Sequence, residues 1–334
     1  MKAKFEKYIL KFKNPSGTSR GTLIEKQTYI LTIENKRKKG IGECNLFKGL
    51  SADDLPNYEE ILEWTCENIL LGKEILWEKL RKYPSIQFGL EQAFLNIEQE
   101  KNIYFPSDFT LGKKGIPING LIWMGSIEFM KQQFYEKFEN GYRCIKFKIG
   151  TNWNKEYQLL TEIRNQFPKE KLEIRVDANG AFSFDEAIIV LNDLEKIQIH
   201  SIEQPIKRGN HLKMKKLCNT TPIPIALDEE LIGIFQYEDK KSLLDEIQPQ
   251  YIILKPALVG GFKGCEEWIS IANQRKIKWW ITSALESNIG LNAIAQWTFL
   301  LQNNLPQGLG TGGLYTNNFP SELYIDNAEL KYHK

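Results

Sequence analysis

The sequence is poor in the residues that most often mark a reactive centre. Histidine occurs only as His200, His211 and His333. The five cysteines, Cys44, Cys66, Cys144, Cys218 and Cys265, are scattered and odd in number, with no Cys-x-x-Cys pair. This excludes a disulfide scaffold, argues against a zinc centre, and leaves packed, reduced thiols as the expectation. An excess of charge of one sign is missing too: Lys+Arg of 44 against Asp+Glu of 42 gives a formal net charge of +2. So even a balance offers no reason to expect a nucleic acid or an anionic membrane as partner. The basic run Lys36-Arg37-Lys38-Lys39 reads as a solvated hairpin turn before Gly40. No apolar run approaches the ~20 residues of a membrane span. The opening Met1-Lys2-Ala3-Lys4-Phe5-Glu6-Lys7 lacks the apolar stretch of a signal peptide. The expectation is a cytoplasmic enzyme acting on a small molecule.

What the sequence does have is a rhythm of charged residues. Lys148, Asp177, Glu203, Asp228 and Lys255 lie 29, 26, 25 and 27 residues apart in turn. Each follows a short apolar run, as in Glu173-Ile174-Arg175-Val176-Asp177 and Tyr251-Ile252-Ile253-Leu254-Lys255. A strand, a helix and two loops consume about that many residues, so the spacing predicts consecutive β/α units with these side chains at one mouth. The first unit is expected at Ile116–Trp123, with a helix from Ser126 to Asn140 closed by Gly141, and the last strand at Gly308-Leu309-Gly310. Ser183-Phe184-Asp185-Glu186 reads as a capping box opening a helix.

Residues 1–112 follow another pattern. Two strand-like runs, Tyr8–Phe12 and Thr28–Ile33, precede helical periodicity at Asn57–Leu71 and Ser85–Glu98. The fold expected is therefore an α/β TIM-type (β/α)7β barrel over residues 113–315 behind an N-terminal α+β capping domain, residues 1–112. A terminal segment, 316–334, should return to the cap through Leu323-Tyr324-Ile325. Two cap loops, Ser16–Arg20 and Phe47–Ser51, are candidate lids over the mouth.

Three acids at the ends of adjacent strands, about 4.8 Å apart, fall within reach of one ion. Hard oxygen ligands suit Mg²⁺, with Mn²⁺ as its substitute, so Asp177, Glu203 and Asp228 are the candidate metal ligands. Lys148 and Lys255 flank them. Lys146 shares a strand face with Lys148 and is expected to help lower its pKa. A cation on a substrate carboxylate beside a lysine permits removal of the α-proton. Racemisation, β-elimination and cycloisomerisation all begin that way, and these residues alone do not choose among them.

Together, Lys146-Phe147-Lys148, Asp177-Ala178-Asn179, Glu203-Gln204-Pro205, Asp228-Glu229 and Lys255-Pro256 resemble the enolase superfamily in its muconate-lactonising subgroup. The resemblance extends to Gly40-Ile41-Gly42-Glu43 and to Ser85–Glu91. It implies Mg²⁺ on Asp177, Glu203 and Asp228, with Lys148 and Lys255 on opposite sides of the substrate and Asn179 as a supporting polar group. Mandelate-racemase-like members place a histidine on the seventh strand, and none stands there. Dipeptide epimerases carry an Asp-x-Asp near the eighth strand, where this chain reads Gly308-Leu309-Gly310-Thr311-Gly312-Gly313-Leu314-Tyr315. With Asn119–Gly125 and Ser283–Asn288, that segment is more similar to the o-succinylbenzoate synthase family, which dehydrates 2-succinyl-6-hydroxy-2,4-cyclohexadiene-1-carboxylate in menaquinone biosynthesis. The resemblance implies Lys148 as base, Lys255 as a protonated partner, and candidate substrate contacts at Trp123, Ser283, Thr311 and Gly312. An N-acylamino-acid racemase or dipeptide epimerase using the same lysines is the alternative. A non-catalytic barrel binding a partner through its cap is a third reading, which the complete set of charged residues disfavours.

Overall fold

Alternating side chains along the first 44 residues build an antiparallel sheet of β1 (Lys2–Thr18), β2 (Gly21–Asn35) and β3 (Lys38–Cys44). The structure, a computed structural model, describes residues 1–18, 21–36, 38–99 and 101–334. The inward face of β2 presents Tyr29, Leu31 and Ile33 to a core shared with α1 (Tyr58–Glu67), α2 (Gly72–Lys79) and α3 (Pro84–Glu98). The helix expected over 57–71 ends early: a short 3₁₀ turn at Ile69–Leu71 intervenes, and Gly72, at φ 82°, redirects the chain into α2. Helix α3 lies so close on β3 that a Cβ at Gly42 would sit 1.9 Å from the Gly89 carbonyl oxygen, and one at Gly40 would sit 2.1 Å from that of Ala93. Glycine at both positions is a packing requirement.

The β/α rhythm then appears as read. After β4 (Ile116–Pro117) come β5 (Gly120–Ile122), β6 (Cys144–Lys148), β7 (Glu173–Asp177), β8 (Ser201–Glu203), β9 (Ile225–Leu227), β10 (Tyr251–Leu254) and β11 (Lys278–Ile281). β5 to β11 form one seven-stranded parallel sheet in chain order. Between and after them run α4 (Ile127–Glu139), α5 (Trp153–Gln166), α6 (Phe184–Lys196), α7 (His211–Thr220), α8 (Tyr237–Ile247), α9 (Pro256–Val259), α10 (Gly261–Gln274) and α11 (Asn288–Leu300). The capping box at Ser183 and Glu186 forms, and Gly141 at φ 88° follows α4 as anticipated. The sheet curls, and its inward face holds Ala226, Tyr251, Ile253 and Trp280.

Three expectations change. The first strand, read as Ile116–Trp123, is two pieces: Ile116 and Pro117 pair with the C-terminal hairpin, and only Gly120–Ile122 joins the parallel sheet. The Gly308–Gly310 strand is replaced by two one-residue parallel bridges, Ile118 to Gln307 and Thr282 to Gly308, so this segment touches both edges of the sheet. Glycines add little to a ladder, which is why it stays short. The C-terminal strand forms as β12 (Leu323–Asp326), but it pairs with β13 (Glu329–Tyr332), which rests on β4 instead of the cap sheet. The return to the cap occurs upstream, where Phe12 bridges Tyr315 and Asn317 hydrogen-bonds the backbone at Ile9 and Lys11.

Two buried glutamates tie the cap to the helices that flank the parallel sheet. Glu43, on β3, accepts from Ser287 N at 3.0 Å, Ser287 Oγ at 2.6 Å and Gly290 N at 2.9 Å, at the start of α11. Glu91, on α3, accepts from Phe262 N at 2.5 Å and Lys263 N at 3.1 Å in the first turn of α10. Each supplies acceptor oxygens to orphan N–H donors in the first turn of a helix. Burial pushes the Glu91 carboxyl up to about 8, against the pull of those two N–H bonds.

A carboxyl with a raised folded-state pKa stabilises fully below its unfolded pKa and loses that contribution as pH climbs through the folded value. The thermal midpoint is therefore expected to fall between pH 6 and pH 9, and Glu91→Gln to flatten that slope when followed by circular dichroism. Gly42→Ala is expected to lower the midpoint by several degrees, the consequence of an overpacking cost of about 1–3 kcal/mol. Gly313→Ala, where a Cβ meets nothing within 4 Å, should leave it unchanged.

Candidate active site

Parallel pairing fixes the site before any side chain is considered. Lys148 is in register with Asp177, Asp177 with Glu203, and Glu203 with Ala226, two residues before Asp228. Period-two alternation then turns Lys146, Lys148, Asp177, Glu203 and Asp228 to one face. Asp177, Glu203 and Asp228 are all buried, and one oxygen from each lies within 4.8 Å of the others. Lys255 follows β10 directly and is paired with the Asp228 carboxylate.

The ammonium groups divide the acids among them. Lys148 Nζ donates to Asp177 Oδ2 at 2.6 Å and to Asn179 Oδ1 at 2.7 Å. Lys146 Nζ spans both oxygens of Glu203, at 2.8 and 2.9 Å, and stands 3.5 Å from Asp177. Lys146 thus faces the acids and shares Asp177 Oδ2 with Lys148. Burial would raise Asp177, but Lys148, Lys146 and Lys255 outweigh it and hold this carboxyl far below its usual range. Glu203 behaves oppositely: burial, then the charges of Asp177 and Asp228, push it up to about 8 despite Lys146. Lys146 and Lys255 both sit above the ordinary lysine range, because the surrounding acids overcome burial.

This donor set fits a hard divalent cation. Three buried carboxylates converge, and one of them is destabilised as an anion by the other two. Asn179, at φ 44°, anchors the rim: its N–H donates to Asp177 Oδ1 at 3.0 Å and its Nδ2 to Glu229 Oε1 at 2.9 Å.

A cavity of about 350 Å³ opens over the lysines. Trp123, Ser283 and Thr311 line it, as anticipated. Ser283 is held from behind, donating to Glu286 Oε2 at 2.6 Å and accepting from Thr311 Oγ1 at 2.8 Å. Gly312 is absent from the lining; a Cβ there would point at Leu291 and Asn288, so that expectation is corrected. Phe47 and Leu50 bring the 47–51 loop over the cavity, whereas Ser19 and Arg20 of the other lid lie outside the described residues. None of the three histidines contributes to the lining: His200 contacts Ser201 and Tyr251, His211 contacts Glu230 and Glu246, and His333 stacks on Tyr324.

Sequence reasoning gave no role to Gln204, although it quoted the residue. At φ 39° its side chain accepts from Asp228 N and Glu230 N, each at 3.2 Å, fixing the turn that presents Asp228. It also missed the inter-unit chain behind Ser283, in which buried Lys26 is paired with Asn45, and Asn45 Nδ2 donates to Glu286 Oε1 at 3.0 Å. A lysine inside an alternating strand carries no sequence signal of burial.

Comparison with known proteins places this geometry in a family. The family model described as "Enolase C-terminal domain-like" matches residues 130–331, and the chain belongs to that family. It is 43% identical to an o-succinylbenzoate synthase of Desulfotalea psychrophila, covering 99% of this chain and 98% of that protein. The crystal structure of MenC from the same organism superposes with a TM-score of 0.89 at 40% identity, covering 99% of both chains. An L-amino acid-D/L-Glu epimerase of Sulfurimonas denitrificans is more distant, 26% identical over 87% of each chain.

Protein stripped with a chelator is expected to take up one Mn²⁺ per chain by titration calorimetry. Glu203→Gln or Asp177→Asn should weaken that binding at least tenfold, and added Mg²⁺ should raise the thermal midpoint of the parent but not of the variants.

Proposed function

We propose that the chain catalyses the o-succinylbenzoate synthase reaction: syn elimination of water from 2-succinyl-6-hydroxy-2,4-cyclohexadiene-1-carboxylate, giving o-succinylbenzoate for menaquinone biosynthesis. The observation that carries this reading is full-length similarity to a named o-succinylbenzoate synthase, joined to two lysines that line one cavity with Asp177 and pair with two members of a three-carboxylate cluster. Asp177, Glu203 and Asp228 hold Mg²⁺, which supplies positive charge against the substrate carboxylate as the neighbouring proton leaves. Lys148 takes the α-proton from the ring and returns it to the departing hydroxyl. Lys255, whose pKa is held high by Asp228, Glu229 and Asp177 despite burial, stays protonated and balances the developing negative charge. Lys146 neutralises Glu203, and Asn179 accepts from Lys148, fixing the direction from which that amine approaches. Trp123, Ser283 and Thr311 contact the ring and its succinyl arm.

The epimerase reading is weaker. Residues 308–315 carry no acid to hold a substrate ammonium. Closure of the barrel through the Gln307 and Gly308 bridges, and division at residues 112 and 315, belong to this proposal. So does a cytoplasmic setting, which the five free cysteines support. Among the described residues, no helix is long and apolar enough to cross a membrane.

Loss of the cyclohexadiene absorbance with purified protein and Mg²⁺ is the direct assay. Lys148→Ala and Lys255→Ala are each expected to lower kcat by at least about a hundredfold. Dehydration left within tenfold in Lys148→Ala would remove that lysine as base. Dipeptides incubated in deuterated solvent should show no exchange at Cα.

A further inference from the structure

Two residues of the catalytic cavity each carry a polar atom with no hydrogen-bonding partner among the described residues. Asn119 and Thr282 are 5% and 8% exposed, and neither Asn119 Oδ1 nor Thr282 Oγ1 has a hydrogen-bonding partner among protein atoms. Both residues line the cavity that contains Lys146, Lys148 and Lys255. They stand on either side of the Gln307–Gly308 segment, since Asn119 N donates to Gln307 O and Thr282 bridges Gly308. Gly308 keeps the gap open: a Cβ there would lie 2.4 Å from Thr282 Oγ1. The Asn119 carboxamide is oriented by its own Nδ2, which donates to Gly120 O at 2.9 Å, so its oxygen is the free acceptor.

The polar lining continues downward. Trp280 precedes Thr282 by two residues on the same strand face. Arg175 lies 4.3 Å over the Trp280 ring, and Arg175 Nη2 and Trp280 Nε1 are also without protein partners. One acceptor, one hydroxyl and two donors thus face the barrel interior. A set that holds an acceptor, a hydroxyl and donors together suits a molecule able to answer each of them. A neutral molecule that both donates and accepts fits, and water is the smallest.

We infer that Asn119 and Thr282 form an internal water site beneath the reacting ring, and that this site receives the water released by elimination. The second half rests on the proposed dehydration. There the C–H bond at the ring α-carbon breaks with its proton going to Lys148. The C–O bond then breaks, and the departing oxygen takes that proton back and leaves as water. The site gives this molecule a position off the reacting carbon while the cap remains over the cavity.

Thr282→Val tests the site without any assay of activity. Removing a hydroxyl bonded to water lowers the thermal midpoint by about 2 °C, whereas removing a dry, unsatisfied hydroxyl leaves it unchanged or raises it. A fall supports the site, and no change or a rise overturns it. A crystal structure is expected to show a water oxygen within 3.2 Å of both atoms, and clear density lacking one would equally overturn it. For the receiving role, Thr282→Val should lower kcat for dehydration about fivefold with KM within twofold, and an unchanged kcat rejects that role. An inactive wild type would instead sink the proposed reaction while leaving the midpoint comparison readable.

Discussion

Charge balance among groups that cannot escape one another governs this structure. Asp177, Glu203 and Asp228 are buried at adjacent strand ends, with Glu229 beside them. At such separations two like charges repel by several kcal/mol even with an effective dielectric of about 20. Three ammonium groups, Lys146, Lys148 and Lys255, answer them from the flanking strands. The arrangement still leaves Glu203 reluctant to ionise. A divalent cation is the natural complement: bound to these three acids, it would remove the penalty on Glu203 and free the lysines from a purely neutralising duty. The same residues that would be a liability in an empty core thereby become a poised site.

The curled parallel sheet supplies the register that makes this crowding possible, and the cap supplies its cover. Glu43 and Glu91 reach from the cap to the N-termini of α11 and α10, so the two units share buried hydrogen bonds. A second line of contacts enters the cavity itself. Asn45 of the cap reaches Glu286, Glu286 holds Ser283, and Ser283 accepts from Thr311. Ser283 is thus oriented by a cap residue, and a shift of the cap is felt at the cavity wall through hydrogen bonds. This couples the cover to the site by direct contact.

What could be read from the sequence followed from periodicity. The five charged positions were legible because β/α units repeat at nearly constant length and because strand ends in such a barrel face one mouth. The capping box at Ser183 and the turn at Gly141 were legible because their chemistry is local. The split of Ile116–Trp123 was not, since its cause is a hairpin more than 200 residues later in the chain. The eighth strand shrank to bridges because Gly308 and Gly310 offer no side chains to hold a ladder, and Gly312 turned away from the cavity for reasons set by its contact with α11. Gln204 was visible as a letter but not as a role, because only the folded turn shows its carboxamide holding the backbone of Asp228 and Glu230.

The division between recognition and chemistry follows from the same geometry. The acids and lysines stand on or directly after five of the seven parallel strands, β6 to β10, and such a set suits any reaction that begins by removing a proton beside a carboxylate. Choice of substrate must therefore come from what surrounds them: Phe47 and Leu50 from the cap, Trp123 after β5, and the uncharged run 310–314. That run offers backbone N–H groups and Thr311 but no carboxylate, so it suits an anionic or neutral arm and gives a cationic one no partner. An elimination whose product gains an aromatic ring needs little more than the first deprotonation, and a site with strict chemistry and sparse recognition is sufficient for it.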